Sequence, residues 1–497
     1  MRYNNSRPTE ECPLTKTRNY THTLSMYCGD GLKFIVSCFT ILTISITTTL
    51  ILQILYTDGT PQKQAGIHGA VATDYTNCSQ IGTKVLRKGG NAVDAAVAAT
   101  ICMAVVAPHK TGLGGGGYIM MYNHKEQTDP VVIDFANNTI QGSFAESGIR
   151  IPALLRGLEY THTLKGILPW KDIVKPSAYL AKEGFVVSKE LASEVSKNID
   201  YEALYGHLSA GDTLKLDDLG DLLNNVALYG TSVLYNGTFS QKILGKVDDP
   251  KLFSQLANYE PDVYVAKKIS FYKHTVYYPP HLSLIESVLT AIENLRISID
   301  NASTVGTQIN VAKALIHSVS VPLHLKQYVG GEKYTGVMAM DWQDTYVCII
   351  TGLSTPFGLG HVSSAGFLLD KIDANNTLSM LTPIIFHNVR AKCGLRGVFG
   401  TDDILIIGQL LYSVIVRQLN ISEAIEYPRY YYSSDGLAIE SDQKHSVDAL
   451  LRNQLNLLMS AQQVDTDALK SVNAIIKRKD LMSSHSDSRG GGLASRY

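Results

Sequence analysis

Between Phe34 and Tyr56 the chain runs for 23 residues without a charge, FIVSCFTILTISITTTLILQILY. At 1.5 Å per residue a helix of that length spans roughly 34 Å, enough for the hydrocarbon core of a bilayer. Its five threonines are no obstacle, because a threonine hydroxyl can bond back to its own helix. The stretch is too long for the apolar part of a signal peptide, and no small-residue cleavage site follows cleanly. It therefore reads as a transmembrane signal-anchor over 34–56, behind a cytosolic tail at 1–33 and before a Gly/Pro/Gln-containing stalk at 57–69. Arg2, Arg7, Lys16, Arg18 and Lys33 precede it, and only Lys63 follows within fifteen residues. That asymmetry predicts a single-pass type II membrane protein with its C-terminal domain extracellular or lumenal.

Lys and Arg number 44 against 45 Asp and Glu, a net charge of −1, so the chain lacks the basic surface that nucleic acid requires. With 45% hydrophobic residues it can bury a large core, which excludes a disordered chain. Four cysteines lie beyond the anchor, Cys78, Cys102, Cys348 and Cys393, and an oxidising compartment would allow three pairings among them. Asn-x-Ser/Thr triplets at Asn77, Asn137, Asn236, Asn301, Asn375 and Asn420 offer N-glycosylation sites on that same side.

Helical spacing dominates from Ser79 to Val106, interrupted by Gly89-Gly90 as a C-cap and turn, with an Ala-rich segment opening at Asn91. The run Thr111-Gly-Leu-Gly-Gly-Gly-Gly117 follows and leads into a strand at Tyr118–Tyr122. A phosphate loop needs the opposite order, strand then glycines then helix, so the glycines read as tight backbone packing or an oxyanion-type site. Further helices are predicted over 152–166, 172–183, 188–196, 281–295 and 307–318, and β-rich pieces over 129–135, 262–278, 336–341 and 345–351. The mixture, without strict βαβ alternation, is α/β or α+β with layered sheets.

Several runs together carry a family likeness. They are Ala70-Val-Ala-Thr-Asp74, Cys78-Ser-Gln-Ile-Gly82, Lys88-Gly-Gly-Asn-Ala-Val-Asp-Ala-Ala96 and Pro108-His through Gly117. Ile151–Leu158, Gly166–Trp170, Lys175–Phe185, Pro356-Phe-Gly358 and Ser486–Gly491 continue it. From about residue 68 to the C-terminus the chain resembles the gamma-glutamyltransferases, or glutathione hydrolases, and within them a divergent branch that lacks the usual nucleophile. The resemblance implies the four-layer αββα sandwich of the N-terminal-nucleophile hydrolases. It implies a precursor that cuts itself before a threonine, here a large-subunit-like region 70–334 and a small-subunit-like region 335–497. The freed threonine attacks the γ-glutamyl amide of glutathione, or another γ-glutamyl compound, and the acyl group passes to water or an amino acid, with no cofactor. It also implies a disulfide between Cys78 and Cys102.

That chemistry needs an alcohol nucleophile, oxyanion donors and charges that grip the glutamate. Counting back from Phe357-Gly358 with the family spacing lands on Tyr334, and Thr335 is one place later. Thr335 is the candidate nucleophile only if the register slips by one, which would turn the following strand over. The His and Ser of the family's Thr-x-His-x-Ser run are absent, replaced by Gly336 or Val337 and by Met338 or Ala339. The arginine expected after Ile133-Asp-Phe135 is Ala136, which offers no bidentate donor. Positional equivalents of the substrate-binding residues are Ser354, Asp373, Ser379, Gly400 and Thr401, and the segment between Asp373 and Leu378 is short. Two readings stay open, a glutathione hydrolase that cleaves itself at Tyr334–Thr335 and a fold-retaining pseudoenzyme that binds or stabilises a partner.

The remaining features take plainer readings. His109 and His361 belong to turns or loops, and no pair of histidines has metal-ligand spacing, so no metal is expected. Asp402-Asp403 reads as a helix start, and Tyr430-Tyr-Tyr432 as a strand surface.

Overall fold

The computed structural model describes residues 21–56, 68–136, 148–244, 250–320, 334–372, 377–433, 436–440, 453, 462–464 and 471–497. Asn137, Asp373 and Asn375 lie outside the described residues. The chain divides into two units, 1–64 and 65–497.

Among the described residues the first unit contains one helix, α1 (Thr21–Tyr56), whose stretch Lys33–Leu52 is long and apolar enough to cross a membrane. Its threonines bond back along the helix, Thr43 Oγ1 to the Phe39 carbonyl at 2.9 Å and Thr47 Oγ1 to the Thr43 carbonyl at 2.8 Å. Their polar groups are thereby satisfied without water.

The second unit is built on two sheets. Alternation of side chains sets which residues face which layer, and the central strands Tyr334–Met340 and Thr345–Gly352 are buried along almost their whole length because both faces are covered. The first sheet comprises β1 (Ala70–Ala72), β2 (Gly116–Asn123), β3 (Val131–Asp134), β4 (Asp262–Val265), β7 (Tyr334–Met340), β8 (Thr345–Gly352) and β13 (Ser495–Arg496), in the order β13-β1-β7-β8-β2-β3-β4. The second comprises β5 (Lys267–Phe271), β6 (His274–Tyr278), β9 (Thr382–Asn388), β10 (Arg396–Thr401), β11 (Asn473–Arg478) and β12 (Leu481–Ser486), in the order β12-β11-β10-β9-β6-β5. Pairing within both sheets is antiparallel. Strand β8 shows the division. Tyr346, Cys348 and Ile350 face a buried cluster shared with Ile385, Val398 and Ile475 of the other sheet. Val347 and Ile349 join a second cluster with the helices.

That second cluster is formed with α2 (Thr76–Arg87), α3 (Ala92–Val106), α4 (Leu154–Lys165), α5 (Trp170–Glu183) and α6 (Lys189–Ser196). Every residue of α3 is buried, and its alanines let strands and helices approach closely. Asn91 caps α3 in a reciprocal box with Asp94. A third cluster covers the outer face of the second sheet, where Ile384, Phe386 and Phe399 meet α7 (Leu284–Glu293), α8 (Val305–Ser320) and α9 (Ile404–Leu411). Asp403 caps α9 through the Leu405 amide at 2.8 Å, the helix start that the acidic pair suggested. Tyr430–Ser433 is a strand.

Cys78 and Cys102 are disulfide-bonded, joining α2 to α3. Cys348 is buried and free, and Cys393 is exposed and free. Asn77, Asn236, Asn301 and Asn420 are exposed.

Candidate active site

Strand β7 opens at Tyr334, which pairs with Gly352 of β8, and Thr335 pairs with Thr351. Successive residues face opposite ways, so the two hydroxyls have different surroundings. Tyr334 enters the layer between the sheets, where its ring is buried and its hydroxyl donates to the Ser471 carbonyl at 2.7 Å. The Thr401 hydroxyl lies 3.1 Å away and accepts from the Asp403 amide.

Thr335 is fully buried, and its Oγ1 donates to Asp74 Oδ2 at 3.1 Å. The other oxygen of Asp74 accepts from Ser471 Oγ at 2.9 Å and from Asn473 Nδ2 at 2.6 Å. Burial pushes the Asp74 carboxyl above its ordinary range, opposed by the Lys110 charge and the Asn473 and Ser471 bonds. Lys110 in turn meets Glu190 at 2.7 Å. Burial would raise Glu190, but Lys110 and His109 more than reverse it and hold the carboxyl near about 2. The alcohol–carboxylate pair of Thr335 and Asp74 has the composition of an activated nucleophile. It is, however, sealed inside a paired strand.

The glycine run explains itself by packing. A side chain at Gly114 would strike the Leu368 carbonyl, one at Gly115 the Gly352 carbonyl, and one at Gly117 the Ile350 carbonyl. At Gly116 it would meet the Phe135 carbonyl, Ala136 and Leu378. The glycines thus bring β2 against Ala136, the place of the expected clamp arginine.

An arginine does reach that place, from elsewhere in the chain. Arg150 is 1% exposed, and its Nη1 donates to the Ala136 carbonyl at 3.1 Å and its Nε to the Lys371 carbonyl at 3.1 Å. Its Nε lies 3.6 Å from Asp370 Oδ2. Ser354 Oγ donates to Asp370 Oδ1 at 2.6 Å, and its amide also reaches that carboxylate. Burial lifts Asp370 to about 6 against these bonds and the Arg150 charge. Sequence reasoning missed both Arg150 and Asp370. The available signal was an arginine between Ile149 and Ile151, an apolar setting that demands polar partners.

Between the two groups, Thr351, the strand partner of Thr335, donates through Oγ1 to the carbonyl of Gly116 at 3.0 Å, and Gly116 packs against Ala136. Gly400 lies in β10 opposite Pro383, with Ile350 and Cys348 packed against it. Ser379 falls in a short turn over Thr377–Met380. Among the described residues no group of three His, Cys, Asp or Glu side chains could hold a metal ion.

The gamma-glutamyltranspeptidase family profile matches residues 78–338, just over half of the chain. The chain belongs to the gamma-glutamyltranspeptidase family. Among relatives, glutathione hydrolase 7 of Mus musculus is 26% identical over 83% of this chain and 76% of its own length. The Homo sapiens protein of that name is likewise 26% identical over the same shares. Glutathione hydrolase 2 of Arabidopsis thaliana is 35% identical over 37% of this chain and 36% of its own. Within the gamma-glutamyltranspeptidase family the chain thus sits in a divergent branch similar to glutathione hydrolase 7. A cephalosporin acylase from Bacillus halodurans superposes with a TM-score of 0.69 at 15% identity, covering 89% of this chain and 98% of that one. The two share a mixed helix-and-sheet fold.

Proposed function

We propose that this protein is a membrane-anchored member of the gamma-glutamyltranspeptidase family whose reaction, hydrolysis and transfer of γ-glutamyl groups from glutathione or similar compounds, is weak or lost. On this reading α1 is a type II signal-anchor, the ectodomain is a four-layer αββα sandwich, and Asn236, Asn301 and Asn420 carry glycans. One observation carries the loss of chemistry: the family spacing puts Tyr334 where a threonine should stand, and the Tyr334 hydroxyl is committed to the Ser471 carbonyl. A phenol there cannot replace an alcohol activated by its own α-amine. Ala136 and the burial of Arg150 against main-chain carbonyls add that the glutamate carboxylate lacks an open partner. Such an ectodomain would act by binding or by stabilising a partner.

The Thr335–Asp74 hydrogen bond favours a second reading, self-cleavage at Tyr334–Thr335 with Gly400 and nearby amides as oxyanion donors. A denaturing gel of the purified full chain separates the two. A single band at full mass, with no product from a γ-glutamyl anilide or from glutathione, is the expected result. Two fragments split before Thr335, abolished by Thr335→Ala and accompanied by turnover, would overturn the first reading in favour of the second.

A further inference from the structure

Away from the buried site, α2 and α5 both pack on α3 and leave an open groove of about 690 Å³ between them. Its walls are apolar, with Ile81 and Val85 from α2 and Pro176 and Leu180 from α5. At the rim the Tyr179 ring is 67% exposed, an aromatic surface held in water at the edge of an apolar trough. The polar lining is strongly one-sided. Lys84, Lys88 and Lys175 border the groove and are exposed, Asn77 and Gln80 add uncharged polar groups, and among the described residues Asp172 is the one acid that lines it. Among the described residues no ion pair joins these three lysines to a carboxylate. A fourth cation, Arg87, instead leans over the Tyr497 ring at 5.8 Å.

We propose that this groove binds an anionic amphiphile, in its simplest form an alkyl-chain carboxylate. The volume falls in the range that encloses a small organic ligand. Apolar walls remove an alkyl chain from water, while three unneutralised ammonium groups around the mouth complement a single negative head group. A free inorganic anion would use the lysines and leave the trough wet, whereas a neutral lipid would leave three like charges facing one another. An acidic peptide would satisfy the charges but would bring its own polar backbone against apolar walls where, apart from Tyr179 at the rim, only Asn77 and Gln80 offer uncharged hydrogen-bonding groups. The groove is distinct from the candidate active site, since none of its lining residues is among the catalytic candidates named above.

The test uses the full chain in phosphatidylcholine nanodiscs and a dodecanoic acid carrying a terminal diazirine. After irradiation, peptide mapping should place the label on residues 76–88 and 170–183. Unlabelled dodecanoate should compete, and dodecanol should not. The variant Lys84→Glu/Lys175→Glu should lose label by about fivefold or more, the scale expected when exposed charge pairs become repulsive, with Lys84→Gln/Lys175→Gln intermediate. Both positions are exposed, and the wild-type competition decides the matter even if a variant folds poorly. Label absent from both helices, equal competition by dodecanol, or label unchanged in both variants would overturn the proposal. Displacement of the label by a glutamate-rich peptide but not by dodecanoate would also overturn it and assign the groove to a protein partner.

Discussion

At the level of single residues, Tyr334 and Asp370 make opposite demands on the buried layer. Tyr334 donates a buried hydrogen bond to the Ser471 carbonyl. Tyr334→Phe keeps the ring and removes the donor, so it should cost about 1 kcal/mol in chemical denaturation, the usual net worth of one buried hydrogen bond. A change below about 0.3 kcal/mol would mean that water reaches Ser471 and that the layer is open. Asp370 is a carboxyl raised by burial to about 6, well above the value near 4 of an unfolded aspartate. The native state therefore holds its proton more tightly than the unfolded state. That contribution to stability is fully present below about pH 4 and is lost as pH rises through about 6. Asp370→Asn keeps an acceptor for Ser354 without the charge. Relative to wild type, the variant should gain stability steadily between about pH 4 and 6, by up to about 3 kcal/mol, and no further above. A difference that does not change across this window would mean that the charged form is solvated or fully paired with Arg150.

Elements whose local periodicity agreed with their surroundings were legible beforehand. The helices expected over 172–183 and 188–196 occur at Trp170–Glu183 and Lys189–Ser196, and the strand expected over 345–351 at Thr345–Gly352. The β-rich stretch 262–278 proved to be three strands. Asp262–Val265 belongs to one sheet and Lys267–Phe271 to the other, so the chain changes layer at Ala266. No glycine or proline marks that crossing. The hairpin that follows turns on Tyr272 and Lys273, both at positive φ (42° and 65°), where Asn-Gly would have been the readable signal. Arg150 was hidden for a related reason, because its partners Asp370 and Lys371 lie more than 200 residues away in sequence, the latter by 221. The glycine run was legible as close packing, and it can be tested as such. In Gly117→Ala the new methyl has only the Ile350 carbonyl and Thr351 Cα to move against, both backbone within a paired sheet. Thermal unfolding should drop by the equivalent of about 3 kcal/mol, the upper range for forced overpacking. A variant as stable as wild type would show that β2 and β8 can separate cheaply at that point.

For the second unit as a whole, the α2–α3 pair is where the chain enters its largest core, and the Cys78–Cys102 disulfide ties that pair covalently. The sequence separation is 24 residues. Closing a loop of that size in the unfolded chain is worth about 3 kcal/mol in the chain-entropy treatment. Both cysteines are fully buried, so replacing them also exchanges apolar sulfur for whatever fills its place. Cys78→Ala/Cys102→Ala keeps the apolar character and isolates the tether most cleanly. It should lower unfolding stability by about 2–4 kcal/mol, and the loss should be insensitive to reductant, whereas wild type should fall towards the variant when reduced under denaturing conditions. The same variant addresses how the layers depend on one another. Helix α3 touches β7 and β8 as well as α2, α4 and α5, so loosening α2 should weaken the core that packs on β7, the strand that carries Tyr334. Melting followed by near-ultraviolet dichroism of the tyrosines should then coincide with melting followed by helix signal. Separate transitions would mean that the helical face and the paired sheets unfold as independent units, with the buried site belonging to the sheets alone.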